Sequence, residues 1–405
     1  MSPETTAERD ELDDAITFTP VGDGRSTRVD LWQDDRSASG CWIVRQRIRV
    51  GRSVVRMDGI GGVGTEPERR RQGFASRVLH AAIRRMKAGD AALSMLYGIP
   101  DFYERFGYTQ AEPEHAVYVE PDPEAEPPAG WSLRPAMPED VPALRAVYEE
   151  ATNGAVGAAV RNEDAHVWRS LSGRLAEGDV AECAVAVGPN GKIGGYVRKG
   201  EGFWAVEVLA RDEPTCTVFG EAHAIGPEAA DAVLTHCVRS TRCVDGEQQP
   251  VLLPIPHDGA VAHAAMLRRA RFVRAFSPSG GSMALVLDGA RLLQSIAEEL
   301  AARLRSVRLR LLRPLEVLVD DEPLTMRMAR GKLLFEKDSA SGAGAGTPTD
   351  LWRTSHSDLA KLALGALPPE DVLCRSCHAC SERVQTLVCA LFPERCAHMY
   401  LPDRF

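Results

Sequence analysis

The chain has 405 residues, 44% of them hydrophobic, and a formal net charge of −9 at pH 7. That length exceeds one ordinary core and sets two or three domains as the expectation. No apolar run nears the roughly 20 residues that a bilayer span needs. The acidic balance argues against nucleic acid and suits cationic, amine-bearing partners.

Residues 1–14 are polar and acidic with no apolar stretch. They read as a disordered tail and not as a signal peptide, which places the protein in the cytoplasm with reduced thiols. A first unit spans 15–120. Leu31–Trp32 belong to an early strand, and Cys41–Val50 with Val54–Met57 form a hairpin turning at Gly51-Arg52. A strand at Gly59–Thr65 is broken by Pro67, and a helix over Gln72–Ala88 carries Val78, Leu79, Ala82, Ile83 and Met86 on one face. A strand near Ala92–Leu96, a helix around Phe102 and a strand at Ala116–Val119 complete the unit. Its most informative stretch joins the Gly59–Thr65 strand to the helix. Arg70 and Arg71 supply charge, Gly73 and Ala75 let a ligand approach the backbone, and the exposed amides and dipole of the helix start receive an anion. Such a loop suits a pyrophosphate.

The proline- and acid-rich residues 121–130 form an extended linker. A second unit, 131–288, begins with a strand at Leu133–Pro135 and a helix at Asp140–Glu150. Strands follow at Ala181–Val187, Lys192–Lys199 and Phe203–Leu209, then a helix at Pro227–Thr241, a strand at Val251–Ile255, a helix at Gly259–Ala270 and a closing strand at Met283–Leu287. A third unit, 289–405, opens with a helix over Leu292–Leu304 and continues in strands at Leu315–Val319, Leu324–Met328 and Lys332–Glu336. A flexible Ser339–Thr347 segment precedes helical stretches at Ser357–Leu364 and Glu370–Leu391. Five of the ten cysteines crowd into the last 32 residues, with Cys374, Cys377 and Cys380 at metal-like spacing. An i, i+3, i+6 series spreads around a helix, however, and buried cysteines behave as small hydrophobes, so no metal is expected.

The Arg70-x-x-Gly73-x-Ala75 spacing resembles the coenzyme A loop of the GCN5-related N-acetyltransferases (GNATs). Asp101-Phe-Tyr103-Glu-Arg105-Phe106-Gly107-Tyr108 resembles their Tyr-x-Arg-Phe-Gly-Tyr signature. The second unit resembles another copy of that fold but lacks the loop, so it is expected to be catalytically silent, and the third resembles a sterol-carrier-protein-like α/β domain. Together with Leu391-Phe392-Pro393 and the final Asp403-Arg404-Phe405, the chain resembles the enhanced-intracellular-survival (Eis-like) family. The fold class implied is α/β (α+β): tandem GNAT-like mixed sheets followed by the sterol-carrier-like domain.

The resemblance implies an N-acetyltransferase that moves the acetyl group of acetyl-coenzyme A directly to a primary amine, with an aminoglycoside, polyamine or lysine-like acceptor. An exposed strand amide polarises the thioester carbonyl, so no cysteine need act as nucleophile. Cofactor contacts fall on Val63, Gly64 and Thr65, on Arg70, Arg71, Gln72, Gly73, Phe74, Ala75 and Ser76, and on Gly98 and Ile99. Tyr103 takes the general-acid role, for which a phenol titrating near about 10 is suitably protonated. The terminal carboxylate of Phe405 takes the proton of the amine; because a free α-carboxyl titrates near about 3.5, burial or a relaying water must help it. Asp58 is the rival base. The stretch after Ile16 shows no amphipathic helices, so the helix pair that walls the acceptor pocket in relatives is expected to be short or absent, and Trp32 and Trp42 are candidate cleft residues. A homo-oligomer, a hexamer among its forms, is also implied, with neither nucleic acid nor membrane as partner. Two other classes remain open: a lipid-binding protein, and a coenzyme A sensor without acetyl transfer.

Overall fold

A computed structural model of the chain describes residues 8–22, 24–99, 101–179, 182–200, 216–276, 281–337, 351–376 and 381–405. The Phe203–Leu209 strand, the Ser339–Thr347 segment and Cys377 and Cys380 lie outside the described residues. Two compact units emerge. One comprises Met1–Glu112 with Pro278–Arg395 and Phe405, the other Pro113–Ser277 with Cys396–Arg404. No helix among the described residues is long and apolar enough to cross a membrane.

The first unit is built on a mixed sheet of β1 (Ile16–Val21), β2 (Ser26–Gln33), β3 (Arg36–Val50), β4 (Ser53–Thr65), β5 (Leu93–Gly98), β6 (Thr109–Glu112) and β7 (Gly281–Val286). The order is β1-β2-β3-β4-β5-β7-β6. The two hairpin strands exceed expectation: Val54–Met57 and Gly59–Thr65 are one continuous strand, entered through the turn at Gly51, whose φ of +63° favours glycine. β4 and β5 run parallel, which demands a crossover, and α1 (Phe74–Ala88) supplies it. The apolar face expected for α1 is buried, with Val78, Leu79, Ala82 and Met86 packed on Ile16, Val29, Ile43, Ile60 and Leu96.

Two sequence expectations fail here for long-range reasons. The strand at Met283–Leu287, expected to close the second unit, instead lies as β7 between β5 and β6. Residues 8–13, expected to be disordered, dock on α1: Glu8 pairs with Arg85, Asp10 with Arg84 and Asp13 with Arg77, and Glu8–Arg9 add a short strand beside β1. Between residues 8 and 66 no helix occurs among the described residues, as the missing amphipathic pattern predicts. The helix expected around Phe102 is a single 3-10 turn, Glu104–Phe106, closed by Gly107 at φ +90°. The sheet is also covered from within the same unit by α2 (Gly289–Ser295), α3 (Ala297–Ser306) and, later in the chain, α4 (His356–Leu364), which lies against β6 and β7. A second sheet joins β8 (Leu315–Val319), β9 (Glu322–Ala329), β10 (Lys332–Lys337) and β11 (Leu351–Thr354) in the order β10-β9-β8-β11. The single helices expected at Leu292–Leu304 and Glu370–Leu391 are each two, the latter pair being α5 (Pro369–Arg375) and α6 (Glu382–Leu391).

The second unit repeats the strand–helix–strand theme. Its antiparallel sheet orders Glu221–Ala224, Ile193–Arg198, Cys183–Val187 and Ser132–Pro135. A second sheet orders Thr217–Val218, Val251–Leu253, Glu114–Val119 and Ala270–Ala275, so the strand expected to end the first unit at Ala116–Val119 belongs here. Helix Pro227–Arg239 buries Ala229, Val233, Leu234 and Val238 in a core shared with Val185 and Tyr196. A charged cluster sits inside this unit. Arg161, 1% exposed at its side chain, pairs with Glu221 at 2.7 Å and Asp403 at 2.8 Å, and stacks 3.8 Å from the centre of the Tyr148 ring. The cation beside it holds the Glu221 carboxyl well below the usual range against the opposing effect of burial. Removing one member of such a set strands charge in a low dielectric. Arg161→Met is therefore expected to cost about 3–5 kcal/mol, read from urea denaturation of the intact chain; a loss below about 1 kcal/mol would mean that the carboxyls simply protonate.

Candidate active site

The parallel pair β4–β5 is in register only from Met57–Leu93 to Ile60–Leu96. Beyond that point β4 continues to Thr65 along β3, whereas Tyr97 and Gly98 of β5 pair only with β7. The sheet opens into a fork. Residues Gly61–Thr65 keep their β3 neighbour on one side and face the opening with the other, an arrangement that leaves strand amides free to bind an extended ligand. A bulge sets the local twist: Gly62 has φ +55°, the register shifts between Gly40 and Trp42, and Trp42 packs against the Gly62 backbone. Ser39 stiffens the same rim by donating to the Gly64 carbonyl at 2.9 Å and meeting the Thr65 hydroxyl at 2.9 Å. Trp32, the other cleft candidate, is 44% exposed and bonds Thr17 through its indole N–H at 2.9 Å, away from the fork.

The loop after β4 forms a concave anion seat. Arg71 and Gly73 both have left-handed backbones, at φ +62° and +81°, with Gln72 between them. Alternation of this kind points successive N–H groups inward. Gly73 is the N-cap of α1 and offers no side chain, and the first helical bond is Arg77 N–H to Gly73 O at 3.1 Å, so the amides of Phe74, Ala75 and Ser76 remain for a ligand. Arg70, Arg71, Gln72 and Gly73 are all exposed. Arg70 reaches back to the Thr65 carbonyl at 3.4 Å, and Arg105 reaches Ser76 Oγ at 3.3 Å, bringing a further cation to this helix start that the sequence pattern did not single out for binding. In the second unit the equivalent helix starts Gly226-Pro227-Glu228. Proline removes an amide there and the acid opposes an anion.

Strand alternation then sorts the candidate proton-transfer groups. Ile60 and Leu96 belong to the core beneath α1, as does Tyr103. A Cβ on Gly98 would stand 2.8 Å from the Tyr103 ring, so that phenol lies on the α1 face of the fork. Burial pushes it up to about 12, which keeps it protonated at neutral pH. Phe405 lies on the other face: its ring covers Gly59, its carboxyl carbon would be 3.1 Å from a Cβ on Gly61, and its ring meets Tyr97 edge-on at 6.3 Å. Gly59 and Gly61, missed as site residues by pattern reasoning, are what make that seat possible. Asp58 alternates away from Gly59 and shares the α1 face with Ile60, opposite its register partner Ser94, whose hydroxyl bonds Tyr108 at 2.7 Å. Burial raises its carboxyl to about 6 against the pull of Arg45. Ile99 is exposed and Gly98 buried at the other prong. Cys41 is fully buried and its thiol is pushed up to about 12, unsuited to nucleophilic work. Among the described residues no cluster of three His, Cys, Asp or Glu side chains could hold a metal, with Cys374 exposed and its partners Cys377 and Cys380 outside that set.

Residues 24–111 match the family model of the acetyltransferase (GNAT) domain, a span that contains the fork, the anion loop and Tyr103. Solved structures share the fold over nearly the whole chain. A GCN5-related N-acetyltransferase from Anabaena variabilis is 17% identical with a TM-score of 0.68, covering 95% of this chain and 91% of its own. One from Kribbella flavida is 17% identical with a TM-score of 0.66, covering 95% and 89%. Eis1 from Mycobacterium abscessus is 17% identical with a TM-score of 0.61, covering 93% and 90%. No curated protein sequence matches the chain. The protein thus carries a GNAT acetyltransferase domain within a mixed α/β fold.

The raised Asp58 carboxyl has a consequence for stability. Its folded value lies above the unfolded one, so between roughly 3.8 and about 6 the folded state holds the extra proton, and stability declines as pH rises through that window. Asp58→Asn removes the cost of a buried charge. Its melting temperature is expected to exceed that of the parent at pH 7.5, by the equivalent of up to about 2 kcal/mol, and to match it at pH 4; a gain equal at both pH values would assign the effect to packing.

Proposed function

We propose that the chain transfers an acetyl group from acetyl-coenzyme A directly to a primary amine of a small cationic acceptor of the aminoglycoside, polyamine or lysine-like class. The observation that carries this reading is the fork between β4 and β5 ending at an uncapped, arginine-flanked helix start. The pyrophosphate sits on the amides of Phe74, Ala75 and Ser76 between Arg70 and Arg71, with Gln72 and Gly73 shaping the turn. The pantetheine arm extends along Val63, Gly64 and Thr65 as an added strand, with Gly98 and Ile99 on the other prong. The thioester then rests in the fork with a strand amide at its carbonyl oxygen.

The two faces of the fork divide the proton work. On one, the carboxylate of Phe405 accepts the proton of the incoming amine, directly or through water. On the other, Tyr103, held protonated by burial, returns a proton to the departing thiolate. Asp58 shares the Tyr103 face, which favours Phe405 as base. The second unit is catalytically silent in this reading, and the β8–β11 sheet with its helices is the sterol-carrier-like part. Lipid carriage has less support, since Leu315, Val317, Val319, Leu324, Met326 and Trp352 of that sheet are already buried. The protein works as a cytoplasmic homo-oligomer.

Thiol release from acetyl-coenzyme A with a panel of polyamines, lysine analogues and aminoglycosides tests the reaction; no release with any amine refutes it. Tyr103→Phe is expected to lower kcat by about 10²–10³ with little change in KM for acetyl-coenzyme A. Adding a short Gly-Ser extension after Phe405 moves the carboxylate and is expected to lower kcat by a similar factor of about 10². Full turnover in the extended protein would return the base role to Asp58. Replacing Arg70 and Arg71 together by alanine raises KM for acetyl-coenzyme A by about tenfold or more while sparing kcat.

A further inference from the structure

Residues 303–313, Arg-Leu-Arg-Ser-Val-Arg-Leu-Arg-Leu-Leu-Arg, hold five arginines, and no acidic residue occurs from 300 to 315. In a chain of net charge −9 this is a local inversion. Arg303 turns inward to Glu299 and the Leu391 carbonyl, at 2.9 Å each. The other four, Arg305, Arg308, Arg310 and Arg313, are exposed, and their guanidinium groups have no hydrogen-bond or ion-pair partner among the described residues.

The backbone makes this stretch a fixed display. It follows the end of α3, where the N–H of Leu309 reaches the Leu304 carbonyl at 2.9 Å and that of Arg308 the Arg305 carbonyl at 3.0 Å, with Arg308 itself left-handed at φ +58°. Leu304 and Leu311 anchor it, exposed by only 3% and 7%. Between and beyond these anchors Val307 is 57% and Leu312 81% exposed. Four unpaired cations thus surround two aliphatic tips on one short turn-and-loop.

We propose that this segment docks the protein on an anionic phospholipid surface. Guanidinium groups meet lipid phosphates in bidentate fashion, and each cation near such a surface adds to the attraction. Val307 and Leu312 enter the boundary between headgroups and acyl chains, where arginine stems also lie favourably. The segment carries no aromatic ring on which a nucleobase could stack, which sets it apart from a single-strand nucleic-acid surface. Attachment of this kind is peripheral and revises the expectation of a chain without a membrane partner; it does not depend on the acetyl-transfer reading.

The test is cosedimentation of the intact protein with vesicles of phosphatidylcholine alone and with vesicles containing about one third phosphatidylglycerol. Retention is expected only on the anionic vesicles and is lost as salt shortens the screening length. The double variant R308E/R310E is expected to lower partitioning by at least about tenfold, and L312S to weaken it several-fold while keeping the salt dependence. Because all three side chains are exposed, thiol-release activity stays unchanged in these variants. Equal binding to both vesicle types, or undiminished binding of R308E/R310E, overturns the proposal. So does a change in the size of the particle by light scattering in R308E/R310E without vesicle binding by the parent, which would assign the face to a second copy of the chain.

Discussion

The first unit depends on one geometric event, the parting of β4 and β5 after the Ile60–Leu96 pair. A parallel pair must be joined by a crossover, and here the crossover is α1, whose start lies just beyond the tip of β4. The strand amides that lose their neighbour and the helix amides that never had one are therefore close in sequence and continuous in purpose. Glycine makes the event possible at several points for different reasons. At Gly62 it permits the bulge, at Gly73 it caps the helix without a side chain, and at Gly59 and Gly61 it clears the surface on which Phe405 lies.

Once the fork exists, strand parity assigns chemistry. Side chains one residue apart on β4 or β5 point to opposite faces, so Gly98 meets Tyr103 while Tyr97 meets Phe405. A thioester lying between the prongs is reachable from both sides, whereas two groups on one side compete for the same space. Burial acts on both titratable groups of the α1 side. It holds the Tyr103 phenol in its protonated form and holds the Asp58 carboxyl partly protonated into the mildly acidic range. A carboxyl that gives up its proton only at about 6 is a serviceable base at neutral pH, so in the proposed reaction Asp58 is set apart from Phe405 by its position and not by its acidity.

Much of this was legible in the sequence because it is local. The amphipathic period of α1, the turn at Gly51-Arg52, the Arg70–Ala75 spacing and the aromatic cluster around Tyr103 all express themselves within a few residues. What escaped was set by partners far along the chain. An apolar strand such as Met283–Leu287 announces that it is buried on both faces, but nothing in its pattern says which sheet receives it. The strand expected at Ala116–Val119 is misassigned for the same reason. Residues 8–13 look like a solvated acidic tail until the arginines on the outer face of α1 are known to lie beside them. The short strands Thr217–Val218 and Glu221–Ala224 and the helix His166–Ala176 were missed because brief or weakly periodic segments carry little signal.

The second unit differs from the first both at its helix start and in what fills its interior. Both helix starts have an N-cap glycine, but Pro227 and Glu228 follow Gly226 where Phe74 and Ala75 follow Gly73, so an amide is lost and an acid stands where an anion would bind. Its interior instead invests in ion pairs: Arg161, Glu221, Asp403, Arg198 and Glu182 are all buried and joined to one another. Such a set is seldom the most stable filling for a core, since apolar residues of equal volume often do as well. Its effect is geometric, because each guanidinium accepts only a narrow range of carboxylate positions. Asp403 is one of those carboxylates, and Arg404 is gripped in turn by Glu114 at 2.8 Å and 3.0 Å. The segment 396–404 is thus fixed residue by residue in its own unit, which is the condition for a chain segment near a terminus to keep a defined path where fraying is the general expectation.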